Sequence, residues 1–127
     1  MNLDKIDNNF FLKKMFPNGI LEFIMLGRFS IDISGYCDID LHIKQMPEIS
    51  LSKYGLWGKD FNVIVLKLKG RIYGDVVINN WLHNDFVKLD VQEFDNFFTL
   101  RAEKDDFKFY IEINGLIFQE ISTYKLD

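Results

Sequence analysis

Most of this chain alternates between apolar and polar residues, and this period of two constrains the fold more than any other feature. It is clearest in residues 38–44, DIDLHIK, where every second residue is apolar. Successive side chains of a β-strand point to opposite faces, so the pattern predicts a strand with one buried face and one face in water. Strand-like runs recur at residues 61–69, 86–91, 97–103 and 107–114. About seven to nine short strands at this spacing predict an antiparallel β-sandwich or a partly open barrel.

The N-terminal stretch has a different period. Within residues 3–16 the apolar residues recur at the spacing of a helix face, with Asp early and Lys late as the helix dipole prefers. Residues 17–19, Pro-Asn-Gly, are of types that end helices and form turns. The sequence therefore predicts one N-terminal helix followed by a mostly β domain, a fold with only a minor α part.

Two polar stretches predict tight connections between the last strands. Residues 104–106, Lys-Asp-Asp, form a compact polar connection between two alternating runs. Asn114-Gly115 is a dipeptide typical of two-residue hairpins. A second turn is therefore predicted there, ahead of a final strand at 116–124.

Length and charge bound the possible partners. A chain of 127 residues fits a single domain, residues 1–127, with one core. Its 15 Lys and Arg against 19 Asp and Glu give a formal charge of −4, which offers no basic surface for nucleic acid. An acidic surface instead speeds encounter with basic proteins, although it also serves solubility. We expect no nucleic acid partner and, where a protein is bound, a basic one.

The cysteine content and the apolar runs bear on the compartment. Cys37 is alone, which excludes an internal disulfide or a cysteine metal cluster and suits a reducing compartment. Lys13 and Lys14 follow the apolar stretch at 10–12, the reverse of the order in a signal peptide. The apolar stretch Ile20–Leu26 is far shorter than the roughly 20 residues of a membrane helix. We expect a cytoplasmic protein without a membrane partner.

Catalytic motifs are sparse. His42 and His83 are the only histidines, no serine lies in a glycine-flanked elbow, and no glycine-rich loop opens a helix. The sequence thus disfavours a His-based hydrolase and a phosphate-binding loop, and no cofactor is expected. A metal site is an alternative, because Asp38, Asp40 and His42 share one face of their strand. Any solvated strand face has the same pattern, and that plainer interpretation is favoured.

Two tryptophans stand out in a chain rich in phenylalanine. Trp57 lies between Gly55 and Gly58 in the stretch YGLWGKDFN, within a long irregular segment at 45–59. A tryptophan in a β-protein usually packs in or beside the core, so packing is favoured for Trp57 and for Trp81. Trp57 is predicted to seal one end of the core. A binding anchor is the alternative, since Trp is enriched among the residues that dominate interfaces.

The order of these features resembles the Immunity protein 50 family of bacterial polymorphic toxin systems. The motifs that carry the resemblance are Leu41-His42-Ile43, Trp57, Phe61-Asn62 with the strand at 63–68, Trp81, Phe107–Ile111 and Ile121–Tyr124. The resemblance covers residues 3–124. One departure is the approach to Trp57, where the family pattern is rich in proline and this chain has only Pro47.

The resemblance implies a small, mostly β cytoplasmic protein that binds and neutralises a toxin made by the same or a sister cell. It implies an inhibitor that is not an enzyme, and it supplies no catalytic residue. It gives Trp57, Phe61, Asn62 and Trp81 a shared role, either structural or in binding. The mechanism it suggests is steric and electrostatic blockade of the toxin's active site.

Exposed carboxylates are the groups that a basic toxin could recognise. The predicted partner-binding residues are therefore Asp38, Asp40, Glu103, Asp105 and Asp106. The first two lie on the wet face of their strand and the other three at a hairpin tip. Strand counting places Glu93 and Asp95 at the opposite end from that tip.

A small-ligand-binding β-barrel is the leading alternative function. Its interior would be lined by phenylalanine and its mouth closed by the Trp57 loop. An apolar cavity with an open mouth would favour this ligand-binding protein. A filled core beside an acidic outer face would favour the toxin partner.

Overall fold

β-Strands make up more than half of the protein. The structure, a computed structural model, describes all of residues 1–127. The strands are β1 (Ile6–Asp7), β2 (Ile24–Ile31), β3 (Tyr36–Ile43), β4 (Val63–Asn79), β5 (Leu89–Glu93), β6 (Phe98–Lys104) and β7 (Phe107–Tyr124). The one α-helix, α1, is Phe10–Met15, and three 3₁₀ turns lie at Leu3–Lys5, Ser52–Tyr54 and Trp81–His83. The predicted mostly β fold with a minor α part is confirmed.

All seven strands form one sheet in the order β2-β3-β4-β7-β6-β5, antiparallel throughout, with β1 parallel to β7 at its side. The sheet folds over itself, so that Phe29 on β2 contacts Phe109 on β7, with ring centroids 5.1 Å apart. Its two ends also meet, because Ile24 and Val87, just before β5, exchange backbone hydrogen bonds of 2.8 and 2.7 Å. The predicted sandwich or partly open barrel is therefore confirmed, with the sheet joined to itself at one end.

The two central strands bend at a bulge. Arg71 of β4 pairs with Gly115 whereas Ile72 pairs with Ile113, which leaves Asn114 without a partner. Such a bulge bends a strand and increases its twist. The hairpin predicted at Asn114-Gly115 is wrong, because β7 runs on through this dipeptide. Residue types with a permissive backbone suit a bulge as well as a turn.

The turn predicted at residues 104–106 is confirmed. Lys104 and Phe107 form the last pair between β6 and β7, and Asp105 has a left-handed φ of 53°, which tight hairpin turns favour. Glu93 lies at the opposite end of β6, where it pairs with Phe98 beside the β5–β6 connection. The two acidic groups are therefore separated by the length of the strands, as strand counting predicted.

The helix predicted over residues 3–16 is only partly formed. A 3₁₀ turn is followed by β1, and Asn8 then has a φ of 59°, which interrupts a right-handed helix. The competing interaction is tertiary, since β1 pairs in register with Leu116–Ile117 of β7. Ile6 is 1% exposed in that position. Ile6, whose spacing from the other apolar residues suits a helix face, therefore lies in a short strand packed on the core.

One cluster of 28 buried residues fills the interior, with members from both halves of the folded sheet and from the N-terminal segment. Its largest fully buried side chains include Phe16, Phe61, Phe107 and Phe109. Burial along β3 alternates residue by residue, as its sequence predicted. None of the helices has the length and apolar character that crossing a membrane requires. Side chains free to meet a partner lie on the outside of the sheet and at its ends.

Candidate partner-binding surface

Asp38 and Asp40 lie on the outer face of β3, half-exposed, as their alternation with buried residues predicted. In the register of the sheet, Asp38 is directly opposite Lys69 and Asp40 is opposite Lys67, both on β4. On the other side, Asp40 is opposite Arg28 of β2. Directly opposed side chains of neighbouring strands are about 4.5–5.5 Å apart at Cβ, close enough for charges to interact. Both carboxylates therefore have cations on the adjacent strands, but neither forms an ion pair, and Lys67 is itself paired with Glu120 at 3.7 Å.

His42 is on the same face but is engaged elsewhere. Its Nδ1 is 2.7 Å from the Tyr124 hydroxyl on β7, and its ring occupies the space above Gly27 of β2. Burial lowers the pKa of His42, an effect that the charge of Asp40 partly offsets. No group of three or more His, Cys, Asp or Glu side chains is placed to hold a metal ion. His42 thus links β3 to β7 on the outer face of the sheet. The alternative of a metal site at Asp38, Asp40 and His42 gains no support.

The hairpin tip between β6 and β7 brings three of the predicted carboxylates close together. Two of them are bonded to other side chains of this chain. Both carboxylate oxygens of Asp106 lie 2.7 and 2.9 Å from Nδ1 of His83. Glu103 forms a 2.8 Å ion pair with Arg101. Asp105 is exposed and forms no ion pair. The tip therefore presents one free acidic side chain.

Trp57 is half-buried and packs against the rim of the core. Its ring meets Phe61 edge to face, with centroids 5.6 Å apart. The loop around it closes tightly because Gly55 has a φ of 104° and the Asp60 carboxylate accepts a 2.8 Å hydrogen bond from the backbone N–H of Leu56. A side chain at Gly55 would strike Asp60, so the glycine lets the carboxylate reach that position.

Asn62 and Trp81 also make internal contacts. The Asn62 amide forms two 2.7 Å hydrogen bonds with the backbone of Leu126, one donated and one accepted, and so ties the segment after β7 to the start of β4. Trp81 packs edge to face on Phe107, with centroids 6.3 Å apart. The four residues singled out by the resemblance, Trp57, Phe61, Asn62 and Trp81, all contact other parts of this chain.

A stack of three aromatic rings on the surface was not predicted from the sequence. Phe97 lies in the middle, 4.5 Å from Tyr73 and 4.8 Å from Phe94, with interplanar angles of 8° and 13°. Phe94 and Phe97 flank the β5–β6 turn, which a 2.9 Å hydrogen bond between their backbones closes. Tyr73 comes from the bulged part of β4. The outer rings are well exposed, Phe94 at 51% and Tyr73 at 48%.

A cleft of 310 Å³ lies beside this stack. Its lining includes Phe94, Phe97, Asp7, Asp95, Asn96 and Asn114. Two further charged residues of the lining are already paired, since Asp4 lies 2.7 Å from Lys13 and Lys5 lies 3.6 Å from Glu93. Asp7 and Asp95 take part in none of the ion pairs of the chain. We call this site the Phe94 cleft; its two free carboxylates lie beside exposed rings.

The fold and these contacts define a small, mostly β protein with a filled core and, at the Phe94 cleft, exposed aromatic rings beside two unpaired carboxylates. No protein-family model, curated protein or solved structure matches the chain. The resemblance to immunity proteins therefore stays a prediction, and the support for a function comes from the residues themselves.

Proposed function

We propose that this chain is an immunity protein, which binds a cognate bacterial toxin of basic charge and neutralises it by covering its active site. The observation that carries the proposal is the exposed stack of Tyr73, Phe97 and Phe94, which lies outside a core that is already filled. Exposed aromatic patches beside charged groups are typical of protein-binding surfaces, where a few aromatic anchors supply most of the affinity. Blocking a toxin in this way requires tight binding and no catalytic group or cofactor.

Charge supports the same kind of partner. The formal charge of −4 favours encounter with a basic protein and disfavours nucleic acid. Long-range attraction raises the association rate, while buried anchors slow dissociation. An inhibitor that must capture a toxin made in the same cytoplasm benefits from both.

The filled core also bears on the choice between a protein partner and a small ligand. Phe107 and Phe109, which would line a ligand-binding interior, are at most 1% exposed and belong to the single core cluster. A ligand of ordinary size needs a pocket of about 300 Å³ or more among such residues. Aromatic rings available to a partner are instead found on the outside, which favours the protein partner.

Co-expression tests the proposal directly. The protein and the toxin encoded beside its gene are produced together in a sensitive bacterium, and growth and co-purification of the two are measured. Growth should recover, and tagged protein should retain the toxin on the column. If the toxin still kills cells that contain folded, well-expressed protein, the proposed function is wrong.

A further inference from the structure

The Phe94 cleft combines three chemical features that suit one kind of side chain. Phe94 and Phe97 supply ring surface, Asp7 and Asp95 supply negative charge without a partner, and Asn114 supplies an amide oxygen. Asn114 lines the cleft because the bulge leaves it unpaired on β7. These groups come from three separate segments of the chain and are brought together by the folded sheet.

We propose that the Phe94 cleft binds an arginine side chain of the partner protein, with the guanidinium over an aromatic ring and bonded to Asp7 and Asp95. As an account of toxin capture, the assignment rests on the proposed function. A guanidinium stacks on aromatic faces and donates paired hydrogen bonds that match a carboxylate. Arginine is also enriched among the residues that dominate protein interfaces.

Charge complementarity selects this occupant over others. The two unpaired carboxylates give the cleft an excess of negative charge, because its remaining ions, Asp4 and Lys5, are already paired. A lysine would satisfy the charge but lacks the planar group that stacks on a ring. A sugar could stack and bond to the amides, but it would leave two carboxylates without a cation.

The other predicted carboxylates lack this combination. Asp38 and Asp40 lie opposite cations on the neighbouring strand, and Asp106 is bonded to His83. Replacing Asp38 and Asp40 by asparagine therefore makes a matched control. It removes the same two charges from the protein at a site that has no exposed aromatic stack.

The first experiment measures binding of short arginine peptides by NMR titration and calorimetry. A peptide with two arginines and with both termini blocked should shift the amide signals of residues 94–97. The same peptide with lysine in place of arginine should bind several-fold more weakly. Asp7→Asn/Asp95→Asn and, separately, Phe94→Ala should each weaken arginine binding about tenfold or more, which corresponds to losing one stacked or charge-assisted contact. Asp38→Asn/Asp40→Asn should bind like the wild type.

Three results would overturn the assignment: equal loss of binding in the Asp38/Asp40 control, equal affinity for the lysine peptide, or displacement of the peptide by a neutral oligosaccharide. Circular dichroism and urea unfolding establish that each variant is folded. Because Phe94 is half-exposed and the asparagine changes are isosteric, the variants should keep the wild-type urea midpoint.

The same variants separate this inference from the proposed function. With the toxin, the Asp7/Asp95 variant should associate more slowly and protect cells less than the Asp38/Asp40 control. If the wild type and the Asp7/Asp95 variant capture the toxin equally well, the cleft is not the interface although the function stands. If the wild type captures no toxin but the cleft still binds arginine peptides selectively, the function fails and the site stands as a guanidinium site of another kind.

Discussion

Replacing Gly27 by alanine should destabilise the protein, because the ring of His42 occupies the space that a side chain would need. A Cβ placed on Gly27 would lie 1.9 Å from Nε2 of His42, well inside any real contact distance. The ring would have to move. In moving, it would lose the 2.7 Å hydrogen bond between its Nδ1 and the Tyr124 hydroxyl.

The expected cost follows from these contacts. Losing a partly buried hydrogen bond costs about 0.5–1.5 kcal/mol, and a displaced rotamer costs a further ~0.5–1.5 kcal/mol. Alanine also restricts the unfolded chain, which stabilises a protein by about 0.4–1 kcal/mol where the backbone is compatible. Gly27 does not have a positive φ, so this gain applies. The free energy of unfolding should therefore fall by about 1.3 kcal/mol, within a range of ~0–2.6 kcal/mol.

A double-mutant cycle checks the explanation. His42→Ala removes the obstructing ring, so in that background Gly27→Ala should be neutral or stabilising by up to about 1 kcal/mol. Urea unfolding of the wild type, the two single variants and the double variant supplies the four free energies. If Gly27→Ala costs the same in both backgrounds to within about 0.5 kcal/mol, His42 does not fill that space and the explanation fails.

Three further predictions follow from buried groups. Burial lowers the pKa of His42 from its usual 6.5, so the unfolded chain takes up the proton at a higher pH than the folded protein does. The free energy of unfolding should therefore fall as the pH drops below 6.5. Unfolding curves of His42→Gln between about pH 7 and 5 should lack this contribution. Gly70→Ala should lower the free energy of unfolding by about 1–2 kcal/mol, because the new Cβ would lie 2.4 Å from Cδ1 of Ile113. Gly115→Ala has open space around it and should change the free energy of unfolding by less than about 0.5 kcal/mol. Equal effects in urea unfolding would contradict this packing. Burial raises the pKa of the Cys37 thiol to about 11, so a thiol reagent at pH 8 should modify it only after unfolding, and rapid modification of the native protein would refute its burial.

The strands were predictable where their own residues decide the outcome. Residues 38–44 alternate in the sequence and β3 alternates in burial, because side-chain direction in a strand depends only on position along it. The turn at Asp105 was predictable for a similar reason, since a short polar stretch between two alternating runs has few other conformations. These features need no knowledge of distant parts of the chain.

The predictions from the sequence were wrong where a distant segment decides the local structure. Ile6 fits a helix face and a strand equally well, and its pairing with Leu116 selects the strand. Asn114-Gly115 suits a hairpin by composition, but the neighbouring β4 continues alongside it and supplies partners on both sides of a bulge. Local propensity is a weak preference that tertiary pairing overrides.

The candidate site depends even more on pairing. Whether Asp38 has a cation beside it depends on Lys69 being opposite it, which only the register reveals. The pair Phe94 and Phe97 around a turn could have been noticed in the sequence, with Asp95 between them. Their stacking on Tyr73 and their closeness to Asp7 could not, because those residues come from other strands.

The parallel pairing of β1 with β7 has a consequence for biosynthesis. Ile6 finds its strand partner only at Leu116, so β1 cannot pair until that part of β7 has left the ribosome. At about 5–20 residues per second, this delay is on the order of ten seconds. During that time Ile6, which is 1% exposed in the finished protein, lacks its strand partner and is open to solvent and to chaperones. A strand that is made before β7 is thus among the last to become protected.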